Sequence, residues 1–149
     1  MQKYLPIFFG AFPFLFVGGW VFVSWLIAKM GGWSRLAEAY RCTNAFEGSS
    51  FRCQSGGVGK ASYSNILTVG GDNDGLYLAL LFLFRPFHPP LYIPWSEIAM
   101  EAKEEKALFF RYRCVILTFA SAPGVTLKLK AKLLEKLLKR IPDSAKYEQ

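Results

Sequence analysis

The segment "FRPFHPPLYIPWSEIAMEA", residues 84–102, can be interpreted in two ways, as a catalytic loop or as a bend between two strands. An apolar run ends at Arg85, and three prolines and a histidine follow before the sequence continues as "LYIPWSEI". A loop that carries a histidine can belong to a catalytic site, whereas prolines between β-rich segments are typical of a bend between strands. We interpret residues 85–90 as such a bend, because Pro89 and Pro90 restrict the backbone that follows His88.

Strand signals flank this bend on both sides. The segments 75–85 and 91–102 predict two strands, and Pro90 and Pro94 place the second one at a sheet edge or a bulge. Further strands are predicted over 63–70, over 107–120 as one long strand or two, and over 125–130, where apolar and polar residues alternate. The stretches 70–74, 103–106 and 121–124 are predicted as turns, and 56–60 as a turn or hairpin loop in the polar segment 43–62.

The predicted strand "LYLALLFLF", residues 76–84, is apolar on both of its faces. A strand of a small antiparallel sheet usually alternates because one face meets water, so both faces of this strand must be covered. The cover could come from the short helix before the domain, from lipid or from a second protein.

A charge-free block extends from Tyr4 to Ala28. About 20 apolar residues suffice for a helix to cross a bilayer, so the block predicts an uncleaved membrane anchor. The alternatives are a signal peptide, whose apolar core is shorter and ends at a small-residue site, and a buried helix of a soluble core. Trp20 and Trp25 lie in the second half of the block, where aromatic side chains often mark the membrane interface.

Charge around the anchor predicts its orientation. Lys3 precedes the block, whereas Lys29, Arg35 and further cations follow it. By the positive-inside rule, the more positive flank of a span lies in the cytoplasm, so we expect the C-terminal part there and the N-terminus outside. The cysteines Cys42, Cys53 and Cys114 are odd in number, which favours reduced thiols over a Cys42–Cys53 disulfide in an oxidising compartment.

A short amphipathic helix is predicted over residues 31–42. Gly31 and Gly32 can end the membrane helix, and Ser34 is a candidate N-cap. Trp33, Leu36 and Tyr40 then fall at helical spacing with charged residues between them. This apolar side could contact lipid, a partner or the domain itself.

A second amphipathic helix is predicted over 131–141, ended by Pro142 and followed by a polar tail. The cations near it are Lys128, Lys130, Lys132, Lys136, Lys139 and Arg140, which carry much of the net charge of +7. Anionic lipid would attract them, as nucleic acid would, but a tethered domain meets lipid first, so we expect no nucleic-acid partner. A solvated helix face is the alternative.

No motif points to catalysis, a metal or a cofactor. "GGVGK" lacks the first glycine and the final Ser or Thr of a phosphate-binding loop, and the acidic spacing of "GGDND" does not fit a calcium-binding loop. His88 has no clustered Cys, His or acidic residue at ligand spacing and no recognisable nucleophile motif. We therefore expect that the chain is not an enzyme.

Strands followed by one closing amphipathic helix resemble the order of a pleckstrin-homology-like or GRAM-like domain. "LTVGGDNDGLYL", "IPWSEI" and "VTLKLKAKLLEKLLKRI" are similar to a hairpin, a strand and the last strand with its capping helix in such domains. The whole chain looks like a group of uncharacterised bacterial inner-membrane proteins with one N-terminal span and an "HPPL-x-IPW-x-E-I" segment. The resemblance implies the fold and placement in the bacterial inner membrane, and no activity; Ile93, Trp95 and Ile98 would be core or interface positions.

The sequence therefore predicts an α+β chain with an anchor (1–30), a juxtamembrane helix (31–42), a PH/GRAM-like antiparallel β-barrel or sandwich with a C-terminal helix (43–142) and a polar tail (143–149). We expect a non-catalytic accessory or scaffolding subunit of a membrane protein complex, or alternatively a tethered module that binds anionic lipid. The predicted partner or lipid surfaces are Trp20, Trp25, Trp33, Leu36, Tyr40, Phe87, His88, Pro89, Pro90 and the six C-terminal cations.

Overall fold

The computed structural model describes residues 2–85 and 87–141, and of Ala107 the backbone only. The charge-free block forms one helix, α1 (Leu5–Gly31), which is long and apolar enough to cross a membrane. Gly32 has φ of +95°, a left-handed conformation that suits glycine, and a short helix, α2 (Trp33–Tyr40), starts directly after it. Gly32 thus occupies the N-cap position that the sequence assigned to Ser34, which lies inside α2.

A seven-stranded antiparallel sheet and a final helix follow. The elements are β1 (Ser49–Val58), β2 (Ala61–Gly71), β3 (Gly75–Leu80), β4 (Leu91–Pro94), β5 (Ile98–Ala107), β6 (Phe110–Phe119), β7 (Ala122–Lys130) and α3 (Ala131–Lys139). The hydrogen-bonded order is β4-β3-β2-β1-β7-β6-β5, an open sheet with β4 and β5 at its edges. The α+β class is confirmed, and the strands precede one closing helix as predicted.

Several predicted boundaries were wrong. The strand over 91–102 is interrupted by a short 3₁₀ turn (Trp95–Glu97), because the buried Trp95 donates its indole N–H to the carbonyl of Asp72 at 2.7 Å. The apolar strand ends at Leu80, and residues Phe82–Phe84 form a second 3₁₀ turn. The "KEEK" segment is not a turn but part of β5, where its side chains face those of β6.

The polar segment contains a strand that its composition conceals. Three residues of β1, Gly56 to Val58, pair with β2 and also with Leu127–Leu129 of β7. A Cβ at Gly56 would lie 3.0 Å from the side chains of Leu67 and Leu129, so the small residue permits close packing there. The predicted turn at 56–60 is confined to Gly59 and Lys60.

The core lies between the sheet, α2 and α3. Strands β2, β3, β4, β6 and β7 contribute fully or nearly fully buried apolar side chains, and the predicted stripe of α3 is buried against them: Leu133, Leu134, Leu137, Leu138 and the following Ile141. Helix α3 ends at Lys139, slightly earlier than predicted, and Pro142 and the tail lie outside the described residues.

The strand that is apolar on both faces is covered by the chain itself. Leu76, Leu78 and Leu80 lie in the core, and on the other face Tyr77 stacks on Phe46 with ring centroids 4.3 Å apart. The segment after α2 therefore covers the outer face at this point, which removes one reason to expect a second protein there.

Helix α2 joins two separate parts of the sheet. Arg41, just after α2, forms a bridge with Leu91, and the N–H of Cys42 donates to the carbonyl of Pro90 at 2.8 Å, so this segment pairs next to β4. At the β6–β7 turn, the hydroxyl of Tyr40 accepts from the N–H of Ser121 at 3.0 Å. These bonds hold α2 across the core between β4 and the β6–β7 turn.

Helix α1 packs directly on the domain. Ser24, Ala28 and Gly31 are buried, whereas most other α1 side chains are exposed. Gly59 has φ of +57°, donates its N–H to Thr126 at 2.7 Å, and lies so close to Gly31 that an added Cβ would meet the Gly31 carbonyl oxygen at 1.9 Å. The end of α1 is thus fixed against the β1–β2 turn without a linker.

We expect Gly59→Ala to lower the free energy of unfolding by about 2–4 kcal/mol, because left-handed strain and overpacking add. Thermal unfolding of the full-length protein in mild detergent measures this. Gly57→Ala is the matched control, since its nearest contact would be an ordinary 3.6 Å. Equal stability of both variants would contradict the close joint.

Candidate functional site

The residues predicted to form a partner or lipid surface fall into three places. Trp33, Leu36, Tyr40 and His88 are buried. Trp20, Trp25, Phe87, Pro89 and Pro90 lie on α1 and on the loop between β3 and β4. The cations lie at the end of β7 and on α3.

A buried aromatic cluster joins α2, β2 and the β3–β4 loop. The hydroxyl of Tyr63 and Nε2 of His88 are 3.0 Å apart, and the ring of Trp33 packs edge-on against both rings at 5.8 and 5.5 Å. The indole of Trp33 also donates to the carbonyl of Pro89 at 2.9 Å. The cluster therefore fixes the proline-rich loop to α2.

This placement replaces the surface role expected for four residues. Trp33, Leu36 and Tyr40 form the inner face of α2, which packs on the domain rather than on lipid or a partner. His88 is 2% exposed and is bonded to Tyr63, so it acts as a core histidine that holds a loop. Burial also raises the pKa of Tyr63, because the phenolate would lose its hydration.

A second feature is an apolar surface where the β3–β4 loop meets α1. We call Trp20, Phe82, Leu83, Phe84 and Phe87 the loop surface. The indole of Trp20 donates to the carbonyl of Leu83 at 3.3 Å, and its ring lies 5.0 Å from that of Phe84. Phe82 is 74% exposed, and Leu83 and Phe87 are exposed as well. The loop thus presents apolar side chains outward while it contacts the helix.

The loop has internal support for this shape. The N–H of Leu81, the first residue of the loop, donates to the carbonyl of Ile66 at 3.0 Å. The N–H of His88 donates to the carbonyl of Arg85 at 2.9 Å. The sequence pattern placed Phe87 on this surface but assigned Phe82 and Leu83 to a strand. Their runs of apolar letters do not distinguish a buried strand from an exposed turn.

The position of Trp20 along α1 fits a membrane–water interface. A span of about 20 residues counted from Leu5 ends near Ser24, which is the first buried residue of α1. The loop surface then lies close to the C-terminal end of such a span. Trp25, one turn further, lies beneath Lys29 at 5.2 Å and next to Phe22.

The predicted cations form an exposed group with one exception. Lys132, Lys136 and Lys139 lie on the outer side of α3, opposite its buried leucines, and Arg140 follows directly as the C-cap of the helix. Arg140 also covers the ring of Phe51 at 4.4 Å. Lys128 instead forms an ion pair with Glu105, whose pKa is lowered by hydrogen bonds from Lys128 and Tyr112. Lys128 is therefore the least available of the six cations.

An open groove beside the segment after α2 has a volume of about 550 Å³ and contains the acidic side chains of Asp72 and Glu97. One oxygen of Asp72 accepts from the N–H groups of Asp74 and Gly75 at 2.9 Å and from the hydroxyl of Tyr92 at 2.5 Å. Asp72 thus stabilises the β2–β3 turn. Among residues 2–85 and 87–141, no group of three His, Cys, Asp or Glu is placed to hold a metal.

We expect Tyr63→Phe to reduce stability by about 1–2 kcal/mol at neutral pH, because a buried polar group of His88 loses a partner. The raised pKa of Tyr63 gives stability that is fully present below its unfolded pKa near 10 and is lost as the pH rises from there toward the folded-state pKa. The difference between wild type and Tyr63→Phe should therefore shrink above pH 10.

Denaturant unfolding in detergent at several pH values measures this difference. The hydroxyl of Tyr112, which donates to Glu105 on the exposed hairpin, provides the matched control Tyr112→Phe. A loss of stability in Tyr112→Phe equal to that in Tyr63→Phe would contradict a special role for the buried pair.

Comparisons with family models, with curated proteins and with solved structures found no match for this chain.

Proposed function

We propose that the chain is a non-catalytic accessory or scaffolding subunit of a membrane protein complex, anchored by α1. One observation carries the proposal: the domain is mounted on the helix through Ser24, Ala28 and Gly31 without a linker. A domain held in this way keeps one orientation relative to the bilayer. Such a domain suits a scaffolding subunit, which positions the other subunits of a complex. The buried His88 gives no support to a catalytic role.

The outward side of α1 offers a surface to other membrane helices. Phe8, Phe12 and Phe16 follow one another at i,i+4 spacing, with ring centroids 6.4 and 6.1 Å apart, and all three are exposed. Association of helices in lipid depends on packing rather than on the hydrophobic effect, so a ridge of rings can pack into a complementary groove. We assign this ridge to a partner helix.

The placement belongs to the same proposal. Lys3 before the span and the cations after it favour a cytoplasmic domain at a bacterial inner membrane, with the N-terminus outside. The order of seven antiparallel strands and a closing helix is compatible with a PH/GRAM-like domain, which we propose as its class.

Purification from the native membrane in mild detergent should yield a stoichiometric set of other membrane proteins. We expect Phe8→Leu/Phe12→Leu/Phe16→Leu to lose most of that set while the domain stays folded, because leucine keeps the span apolar but removes the ridge. Phe14→Leu, an exposed position without these ring contacts, is the control. A wild-type protein that elutes alone contradicts the subunit role.

Binding of anionic lipid is the second candidate function. It is favoured by the exposed cations on the outer side of α3, each of which would gain about 1 kcal/mol near an anionic surface. We expect Lys132, Lys136 and Lys139 to be acetylated more slowly in nanodiscs that contain anionic lipid than in neutral ones.

Mass spectrometry of acetylated full-length protein measures these rates, and high salt should remove the difference because it screens surface charge. Lys60, exposed at the β1–β2 turn beside Gly31, is the internal control. Equal protection of Lys60 and the α3 lysines, or none at all, would contradict lipid binding by α3.

A further inference from the structure

The hairpin of β5 and β6 ends in three exposed apolar side chains. Leu108 is 92%, Phe109 91% and Phe110 75% exposed. Leu108 and Phe109 form the two-residue turn, and Phe110 pairs with Ala107 at the first rung of the ladder. The sequence pattern predicts ordinary strand over 107–120, so none of the expected functions uses these residues. We call Leu108, Phe109 and Phe110 the hairpin tip.

The turn residues oppose what the turn needs. Leu108 has φ of +46°, a left-handed conformation that is costly for a branched apolar side chain. A two-residue hairpin turn with positive φ at its first residue favours Gly there, which adopts this backbone readily. Folding alone therefore gives no reason for leucine and phenylalanine here, and their exposure costs solubility.

A pair of cations lies directly behind the hairpin tip. Lys106 and Arg111 are register partners on adjacent strands, and both are exposed. Like charges directly opposite one another on a ladder are destabilising, unless an anion lies between them. The next cross-strand pair on the same face is compensated, since Glu104 lies opposite Arg113. The uncompensated pair is thus placed to receive a phosphate.

The strand directions give the side of the domain on which the hairpin tip lies. The start of β2 contacts the end of α1, where Ala61 lies against Gly31, and further along Leu81 bonds to Ile66 and leads into the loop that contacts Trp20. The first half of β2 therefore ascends α1 toward its N-terminal half. Strand β7 runs parallel to β2, because each is antiparallel to β1.

The first residues of strand β6 also lie toward the N-terminal half of α1. Thr118 pairs with Thr126, which bonds to Gly59 at the end of α1, whereas Cys114 pairs with Lys130, the last residue of β7. From Thr118 to Phe110 the strand covers about 26 Å at about 3.3 Å per residue. Three strand-to-strand twists of about 20–25° leave about 7–13 Å of that length along the direction of β2.

That height matches the end of the membrane span. Trp20 lies about 16 Å above Gly31 along the helix, and Ser24 about 10 Å above it. The hairpin tip therefore lies at the level of residues near Ser24, on the side where the loop surface and the exposed part of α1 lie. Three apolar features, α1, the loop surface and the hairpin tip, then lie on the side of the domain that faces the membrane surface.

We propose that the hairpin tip inserts into the lipid bilayer beside α1, with Lys106 and Arg111 bound to phospholipid phosphate groups. We assign the hairpin tip to lipid rather than to a protein because it is level with the end of the span. The two cations also complement the negative charge of the phosphate groups at that depth. The proposal rests on α1 as a membrane span, but not on any partner subunit. A second attachment point would fix the tilt of the domain.

Depth-dependent fluorescence tests this in full-length protein in nanodiscs of phosphatidylcholine and phosphatidylglycerol. Phe109→Cys in a Cys42→Ser/Cys53→Ser background carries an environment-sensitive label, while Cys114 stays buried. The control is Thr126→Cys, an exposed residue of β7 that pairs with Thr118 near the opposite end of β6. We expect a nitroxide-labelled lipid to quench the label at 109 at least threefold more than the label at 126, and iodide to quench it less.

Two results would overturn the proposal. Quenching by iodide as strong at 109 as at 126, with none by the nitroxide lipid, would place the hairpin tip in water. Shielding from both quenchers would show that a second copy or another protein covers it. Neither result bears on the subunit role, which the native-membrane purification tests separately.

A variant separates insertion from folding. Leu108→Gly/Phe109→Asn supplies the preferred turn residues, so we expect its melting temperature in detergent to equal or exceed that of wild type. With the label at 110 (Phe110→Cys), the same double change should reduce quenching by the nitroxide lipid at least twofold. Unchanged quenching would show that Leu108 and Phe109 do not drive insertion, and a lower melting temperature would show that the apolar turn serves the fold.

Discussion

The backbone approach between Gly31 and Gly59 governs how this helix meets this sheet. Because neither residue carries a Cβ, the end of α1 touches the β1–β2 turn, which in turn bonds to β7 through Thr126. The direction of β2 along α1, the meeting of Trp20 with the β3–β4 loop and the side on which β6 begins all depend on this joint. A larger residue at either position would change the orientation of the whole domain relative to the helix.

The elements that local pattern determines were predictable from the sequence. The charge-free block predicted α1, the alternation over 125–130 predicted the end of β7, and the leucine spacing predicted α3. The turn at Gly59 followed from its glycine-rich surroundings. In each case the residues that decide the structure lie within one helix turn or one strand of one another, so periodicity suffices.

The candidate site was less predictable, because it is built from contacts between distant segments. His88 appeared exposed in its proline-rich loop, but Tyr63 and Trp33 enclose it from two other elements. The amphipathic pattern of α2 could not state which surface covers Trp33 and Leu36. Phe82, Leu83 and the run "LFF" (108–110) likewise lie outside the core, at turns or beside them, and composition does not reveal where an apolar run leaves its sheet.

The two edges of the sheet differ in what they permit. Beside β4, the residues after α2 already occupy part of the edge through the Arg41–Leu91 bridge. The edge of β5 is long and includes the sequence Lys103-Glu104-Glu105-Lys106, which reads the same in both directions. If two copies met edge to edge in antiparallel register about its centre, lysine would face lysine and glutamate would face glutamate, which is destabilising. This arrangement of charges disfavours the joining of two sheets into a continuous ribbon in that register.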